Sequence, residues 1–249
     1  MRSRIPITVI TAGALALGVA ACGSGAEGSG TQAETPAETA APGTVQEGPE
    51  AARTTVARAN GDGVAVFADP DDTEPVLAVP GTSPFGFRQA FLVLDENGDS
   101  LHVLVPGRPN GSTGWIRRAD VELQTIDHEV EVDLGARTLT LRSGSDVVLE
   151  TTVAIGAPDA PTPTGRFFVT DLLDTGDPND DYGPYAIGLS GYSNELTEFA
   201  GGDGQIGIHG TNEPASIGQA VSHGCVRVPN DVITTLATTV PVGTPVTIH

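Results

Sequence analysis

The sequence predicts a mainly β protein with two strand-rich blocks. Short runs of apolar residues, or of alternating apolar and polar residues, recur between residues 53 and 249. Segments rich in Gly, Pro, Asp and Asn separate these runs, as turns separate the strands of β proteins. Only residues 230–238 have the pattern of a helix, and that helix would be short.

Residues 1–21 are predicted to be an export signal. Arg2 and Arg4 precede an uncharged, mostly apolar stretch that is short for a membrane-spanning helix. The stretch leads into Val-Ala-Ala-Cys-Gly (residues 19–23), which resembles a bacterial lipobox, where the chain is cut before the Cys and the thiol is lipidated. A lipidated Cys22 would anchor the protein to the outer face of the cell membrane, because each buried CH2 contributes about 0.8 kcal/mol. An ordinary signal peptide that is cleaved before an incidental Cys is the alternative.

Residues 22–52 are predicted to be a disordered tether, because they are rich in Ala, Gly, Thr, Glu and Pro and have no apolar period. Residues 53–125 are predicted to form a small β accessory domain. The apolar runs on either side of the turn-rich residues 95–99 indicate a hairpin. Gly-Trp-Ile at residues 114–116 resembles the end of a bacterial SH3-like wall-binding module, and a β domain without a ligand is the alternative.

Residues 126–249 make up the second predicted domain. Alternation of polar and apolar residues over 129–134 and 138–142 predicts two strands joined by a tight turn. Residues 172–204 are long, polar and Gly-rich, and they carry all three tyrosines of the chain. A loop of that length in a compact domain is usually functional, so these residues are predicted to be a loop such as a lid.

The charge balance excludes one class of partner. The chain has 12 basic and 32 acidic residues, for a formal net charge of -20. A surface this acidic repels phosphate backbones, so nucleic acid is not an expected partner.

The cysteine count makes Cys225 a candidate functional residue. The chain has 2 cysteines, and if Cys22 carries lipid, then Cys225 is the only free thiol of the mature protein. No disulfide is then possible, and an unpaired thiol in an oxidising compartment is a liability unless it has a function. A buried structural cysteine is the alternative.

Two short segments carry the candidate chemistry, at residues 205–211 and 222–228. If both are strands, then alternate residues share a face. In the first strand His209 would point away from the two core isoleucines. In the second, His223, Cys225 and Arg227 would share the face opposite the core valines. A thiol, two imidazoles and a guanidinium would therefore converge.

This combination suits nucleophilic catalysis. A thiol becomes a good nucleophile when a nearby imidazole takes its proton, and the attacked carbonyl then needs donors for its oxyanion. Gly224 would let backbone N–H groups approach a substrate closely. A Zn2+ site is the alternative for a Cys and two His, but the sequence offers no fourth ligand nearby, so no metal or cofactor is predicted. A structural role for either histidine and a surface salt bridge for Arg227 also stay open.

The same residues resemble a family signature. Ser-His-Gly-Cys-Val-Arg (residues 222–227), with His-Gly-Thr upstream, resembles the signature of the L,D-transpeptidase (YkuD-type) family. Sixteen positions separate His209 from Cys225, as in the shorter members. Residues 161–165 resemble the family's strand before the active site, and residues 109–115 look like the accessory region of actinobacterial members. The resemblance implies that residues 126–249 form a β-sandwich or barrel-like catalytic domain.

The resemblance also implies a role for each residue of the two segments. Cys225 would be the nucleophile and His209 the proton donor and acceptor. His223, with the N–H groups of Gly224 and Cys225, would hold the oxyanion, and Ser222 would brace the two histidines. Spacing alone leaves open which imidazole is the principal base.

The remaining implied roles concern the substrate. Arg227, Thr211 and Tyr185 would bind it. Members of the family cut the stem peptide of peptidoglycan after the L-centre of a diamino acid at position three, release D-Ala, and pass the acyl group to an amine of a second stem. The family is known for carbapenem sensitivity, so Cys225 would be acylated by carbapenems. An L,D-carboxypeptidase with water as acceptor and a catalytically dead wall-binding lipoprotein are the alternatives.

Overall fold

A computed structural model describes residues 53–198 and 202–249, which belong to one compact unit. The described part is mainly β, which confirms the predicted fold class. The predicted signal peptide, the predicted tether and Cys22 lie outside the described residues. Within the described residues, no helix is long and apolar enough to span a bilayer.

The N-terminal half of the described chain folds into a five-stranded antiparallel sheet, with the order β6-β5-β4-β1-β7 and a separate β2–β3 hairpin beside it. The turn predicted over residues 95–99 joins β4 to β5, and Gly98 adopts a φ of 55° there. The strands are β1 (Thr54–Ala59), β2 (Gly63–Val66), β3 (Leu77–Pro80), β4 (Ala90–Asn97), β5 (Ser100–Leu104), β6 (Thr113–Arg117) and β7 (Val121–Ile126).

The C-terminal half builds an open eight-stranded sheet with the order β10-β9-β8-β17-β12-β13-β14-β16. Two of its neighbouring pairs are parallel, β8–β17 and β14–β16, and β11 and β15 form a small parallel pair outside it. The strands are β8 (His128–Asp133), β9 (Thr138–Ser143), β10 (Asp146–Thr152), β11 (Ile155–Gly156), β12 (Gly165–Asp174), β13 (Tyr185–Tyr192), β14 (Gln205–His209), β15 (Ala220–Ser222), β16 (Val226–Arg227) and β17 (Pro245–Ile248).

The two sheets share a hydrophobic core. Val56 and Leu92 from the first sheet lie in the same buried cluster as Phe168 and Val246 from the second. Fully burying one such side chain stabilises the fold by about 1.5–3 kcal/mol. This shared packing holds the first sheet against the second. The predicted division into domains at residues 125 and 126 falls at the end of β7 and stays a prediction.

The prediction of one long loop over residues 172–204 is wrong, because β12 continues to Asp174 and β13 occupies the middle of the segment. The glycines that indicated a loop instead allow close packing within the sheet. A Cβ on Gly188 would lie 2.9 Å from an Asp171 carboxylate oxygen, and one on Gly191 would lie 2.4 Å from the Phe167 ring. What remains outside strands is a hairpin turn at 175–184 and the connection after β13.

The predicted helix is confirmed as α1 (Asn230–Thr239). Pro229 precedes its first turn, a position where a missing N–H costs the helix nothing. Ile233 and Leu236 are buried, and the helix packs on β13 and β14. This packing places Asn230, the first residue of α1, beside the end of β14.

Candidate active site

Cys225 lies in a bend between β15 and β16. The prediction that residues 222–228 form one strand is therefore wrong, because residues 223–225 belong to neither strand. Gly224 has a φ of 114°, a backbone conformation that favours glycine and interrupts the strand. Cys225 lines a cleft, whereas His223 is exposed and does not line it.

His209 ends β14 and is only 6% exposed. Its Nδ1 lies 2.6 Å from the carbonyl oxygen of Gly210. A carbonyl oxygen only accepts hydrogen bonds, so Nδ1 must carry the proton, and Nε2 keeps its lone pair in the neutral ring. Burial and, to a smaller extent, the charge of Arg227 lower the pKa of His209 from 6.5 to about 4, a net value that includes the opposing effect of the Gly210 hydrogen bond. The imidazole is therefore a neutral base at neutral pH.

Cys225 is half-buried as a residue, and it is the free thiol of the described chain. Burial raises the pKa of this thiol, while a backbone hydrogen bond from Gly207 and the charge of Arg227 lower it. The resting thiol is therefore protonated at neutral pH, and the imidazole of His209, which lines the same cleft, is neutral. The two groups are thus not a preformed ion pair of thiolate and imidazolium in the resting structure.

Ser222 holds the backbone around Cys225. Its side chain is buried, its Oγ donates to the carbonyl oxygen of Cys225 at 2.5 Å, and the N–H of Gly224 donates to the same Oγ at 3.2 Å. Ser222 thus fixes the bend itself. The N–H of Gly224, to which the resemblance gives an oxyanion role, already has this partner in the structure.

Arg227 forms an ion pair with Glu213, with 3.1 Å between Nη1 and Oε2. The Arg227 side chain is 19% exposed and that of Glu213 is 69% exposed. The ion pair therefore forms where the mostly buried Arg227 side chain reaches the protein surface. The positive charge of Arg227 acts on both Cys225 and His209. Arg227 therefore influences both of these groups through its charge, and its predicted contact with substrate stays a prediction.

Tyr182 packs against His209, a contact that the sequence did not indicate. It lies in the turn between β12 and β13, and its ring centroid is 4.7 Å from that of His209, edge to face. Burial raises the pKa of Tyr182, and the negative charge of a Cys225 thiolate would raise it further. Nothing in the sequence distinguishes Tyr182 from the other two tyrosines, because its position depends on how the hairpin folds back.

Two asparagines hold this hairpin. Asn230 accepts a hydrogen bond from the N–H of Thr211 at 2.7 Å and donates to the carbonyl oxygen of Pro178 at 3.0 Å. Asn212 donates to an Asp181 carboxylate oxygen at 2.7 Å. The segment after His209 is thus tied to the hairpin that carries Tyr182.

Two residues with predicted substrate contacts lie next to His209 in the fold but outside the cleft. Thr211 is buried, and its Oγ1 accepts a hydrogen bond from the N–H of Glu213 at 3.0 Å. Tyr185 begins β13 and packs against the hydrophobic core. Neither residue lines the cleft that contains Cys225. Their roles in substrate binding, and that of His223, stay predictions.

The cleft has a volume of about 810 Å³. Its lining includes His209 at the end of β14, Cys225 and Tyr182 from connections of the second sheet, and the segment between β3 and β4 from the N-terminal half, with Ser83 and Phe85. No group of three or more potential metal ligands occurs among the described residues. The fold and this cleft define a mainly β protein in which a thiol and a neutral imidazole with its proton on Nδ1 line the same cleft.

Comparisons with known proteins agree with this class. Residues 127–248 match the family model of the L,D-transpeptidase catalytic domain. The chain is 39% identical over 125 residues to the putative L,D-transpeptidase YkuD of Bacillus subtilis (strain 168), covering 50% of this chain and 68% of the relative. It is 34% identical over 146 residues to the protein of the same name from Bacillus licheniformis, covering 59% of this chain and 73% of that one.

A solved structure, the catalytic domain of the E. faecium L,D-transpeptidase, is 27% identical with a TM-score of 0.37, and the match covers 49% of this chain and 97% of that one. On the family model and the curated relatives, the chain belongs to the L,D-transpeptidase (YkuD) family. This family acts on the stem peptides of peptidoglycan.

Proposed function

We propose that this chain is a peptidoglycan L,D-transpeptidase with Cys225 as nucleophile and His209 as base. One observation carries the proposal: the Gly210 carbonyl holds the Nδ1 proton of His209, so Nε2 is available as an acceptor in the cleft that contains the thiol. An imidazole that is neutral at neutral pH can accept the thiol proton directly, a role that an imidazolium could not perform.

The reaction has two steps. In the first, the sulfur of Cys225 attacks the carbonyl carbon of the diamino acid at stem position three. The thiol proton passes to His209 and then to the nitrogen of D-Ala, so the C–N bond breaks and a thioester remains. In the second, an amine of another stem attacks the thioester, the C–S bond breaks, and the thiol is restored. Water in place of the amine would yield a free tripeptide.

The developing oxyanion needs donors. The N–H of Cys225 lies at the bend, and Gly224 and His223 are its neighbours in the chain. The N–H of Gly224 donates to Ser222 Oγ in the resting structure, so an oxyanion would have to share or replace that contact. In other enzymes, removing one such donor costs about 2.7–4 kcal/mol of transition-state stabilisation. We therefore expect the N–H of Gly224 to turn from Ser222 Oγ to the oxyanion only in the transition state, where the oxyanion forms.

The location of the protein forms part of the proposal. The lipobox-like residues support lipidation at Cys22, and the tether would hold the catalytic unit near the wall. Metabolic labelling with a fatty acid analogue tests this point, since Cys22→Ala should carry no label. A labelled variant would reject Cys22 as the lipidated residue.

The test of the activity uses protein from residue 23 onward, incubated with a disaccharide tetrapeptide and followed by mass spectrometry. We expect wild type to release D-Ala and to form a cross-linked dimer. Cys225→Ala should do neither and should unfold at the wild-type temperature, because the thiol borders a cleft. The matched control is Val221→Ala, an exposed position in the preceding strand, which should keep full activity. Release of D-Ala by Cys225→Ala at the wild-type rate would reject the nucleophile, and tripeptide without dimer would favour a carboxypeptidase.

A further inference from the structure

One wall of the cleft is formed where β13 leads into β14. Tyr192 at the end of β13, and Asp203 and Gly204 in the connection that follows, line the cleft that contains Cys225. The regular ladder between the two strands does not support this wall, because the register of β13 against β14 shifts between Gly188 and Tyr192. The position of the wall therefore depends on contacts from outside the ladder.

The connection between β5 and β6 of the first sheet supplies some of these contacts. Asn110 Nδ2 donates to the carbonyl oxygen of Tyr192 at 2.7 Å, and Asn110 Oδ1 accepts from the N–H of Tyr192 at 2.8 Å. This pair of hydrogen bonds is what a residue of a neighbouring antiparallel strand would provide. The N–H of Gly107 also donates to the carbonyl oxygen of Ser190 at 3.4 Å. The β5–β6 connection thus takes the place of a strand beside the end of β13.

Arg108, in the same connection of the first sheet, holds the residues that follow β13. Its Nη1 donates to the carbonyl oxygen of Asp203 at 2.8 Å, and its Nη2 donates to those of Ser193 at 3.1 Å and Leu196 at 3.0 Å. Its guanidinium carbon lies over the ring of Tyr192, 4.7 Å from the centroid. Arginine suits this position because its planar group carries five N–H donors and also stacks on aromatic faces. One side chain therefore joins the two ends of the connection.

Arg108 and Asn110 do not themselves line the cleft. They can therefore act on a substrate only through the wall that they hold. The packing behind this wall is close, because a Cβ on Gly204 would lie 2.0 Å from the carbonyl oxygen of Leu196 and 3.0 Å from Arg108 Nη2. Removing the guanidinium would deprive three carbonyl oxygens of this donor and open space beside Gly204, so we expect the wall to shift.

We propose that Arg108 and Asn110 are positioning residues for the transpeptidase reaction, through which the first sheet sets the shape of the cleft. This inference rests on the proposed activity. The hydrogen bonds that fix the ring of His209 and the backbone of Cys225 come instead from neighbours along the chain in the second sheet. The two sets of contacts are separate, so loss of Arg108 or Asn110 weakens substrate binding and leaves the reactivity of the thiol unchanged.

The experiment measures substrate use and thiol reactivity in the same proteins. Wild type, Arg108→Ala, Arg108→Lys and Asn110→Ala receive increasing concentrations of a disaccharide tetrapeptide, and the rate of D-Ala release gives kcat and KM. Iodoacetamide alkylation of Cys225 reports the state of the reacting groups, and thermal unfolding checks that each variant folds. Arg118→Ala is the matched control, because Arg118 belongs to the same half of the chain and forms an exposed ion pair with Glu96.

We expect Arg108→Ala and Asn110→Ala to raise KM about tenfold, which is less than the roughly 100-fold cost of misplacing reacting groups by 1 Å, because the reacting groups stay in place. Their kcat and the alkylation rate of Cys225 should stay within about twofold of wild type, as for the loss of binding alone. Arg108→Lys keeps the charge but not the planar group, so its KM should be intermediate. Arg118→Ala should match wild type in every measurement.

A KM within about twofold of wild type in both Arg108→Ala and Asn110→Ala would overturn the proposal. A lower kcat together with slower alkylation of Cys225 would also overturn it, because the two side chains would then support the reacting groups or the fold as a whole. If Arg108→Ala does not fold, Arg108→Lys and Asn110→Ala decide by the same criteria. If wild type releases no D-Ala, the proposed function itself fails, which differs from an active wild type whose KM is independent of Arg108.

Discussion

Acid should destabilise this protein through His209. The buried imidazole has a pKa of about 4 instead of 6.5, so the unfolded chain binds a proton at this position between these two pH values, while the folded protein does not. Stability therefore rises with pH across that window and is lost as the pH falls through it. A tenfold change in a protonation equilibrium equals about 1.4 kcal/mol. The free energy of unfolding therefore falls by about 3 kcal/mol when the pH decreases from neutral to the pKa that His209 has in the folded protein.

The matched variant is His209→Asn, since the Asn amide can donate to the Gly210 carbonyl as Nδ1 does but does not titrate. Urea unfolding of both proteins at about pH 7 and at about pH 4 gives the free energies of unfolding. All other titrating groups are common to the two proteins, so their contributions cancel in the difference. We expect wild type to lose about 3 kcal/mol more than the variant between the two pH values. Parallel pH dependence of the two proteins would refute the buried neutral imidazole.

The remaining predictions concern the thiol. His209→Ala should slow iodoacetamide alkylation of Cys225 at neutral pH by about 100-fold, which is at the lower end of the range for loss of a general base. Arg227→Ala should slow the alkylation by only about threefold, because Arg227 acts through a charge that Glu213 partly neutralises. Equal or inverted effects would contradict this division of roles. A carbapenem should add to the protein once, at Cys225, because a strained β-lactam carbonyl is open to attack by this nucleophile. Intact mass and peptide mapping check this, and an adduct on a serine, or none, would count against it.

The sequence was sufficient for the secondary structure where the signals are local. The two strands predicted from alternation over 129–134 and 138–142 and the helix after Pro229 have the predicted form. The hairpin predicted around residues 95–99 is also present, but its turn is shorter because β4 continues to Asn97. The local signals were misleading in the segment that contains β13. Its glycines leave room for Asp171 and Phe167, but in the sequence they give the segment the composition of a loop. A glycine needed for close packing and a glycine needed for a turn are identical in the sequence, and only the neighbouring strand distinguishes them.

By itself, the sequence indicated Cys225 as the candidate nucleophile, because it lies in a contiguous signature, and it indicated His209 as the candidate base through the resemblance of that signature to a known family. The tertiary structure alone decided how the pair is tuned. The proton on Nδ1 depends on the Gly210 carbonyl, the low pKa of His209 depends on burial, and Tyr182 reaches the ring only because Asn230 and Asn212 hold its hairpin. These properties arise from contacts between residues that are distant along the chain and from the burial of those residues. Neither leaves a local pattern in the sequence.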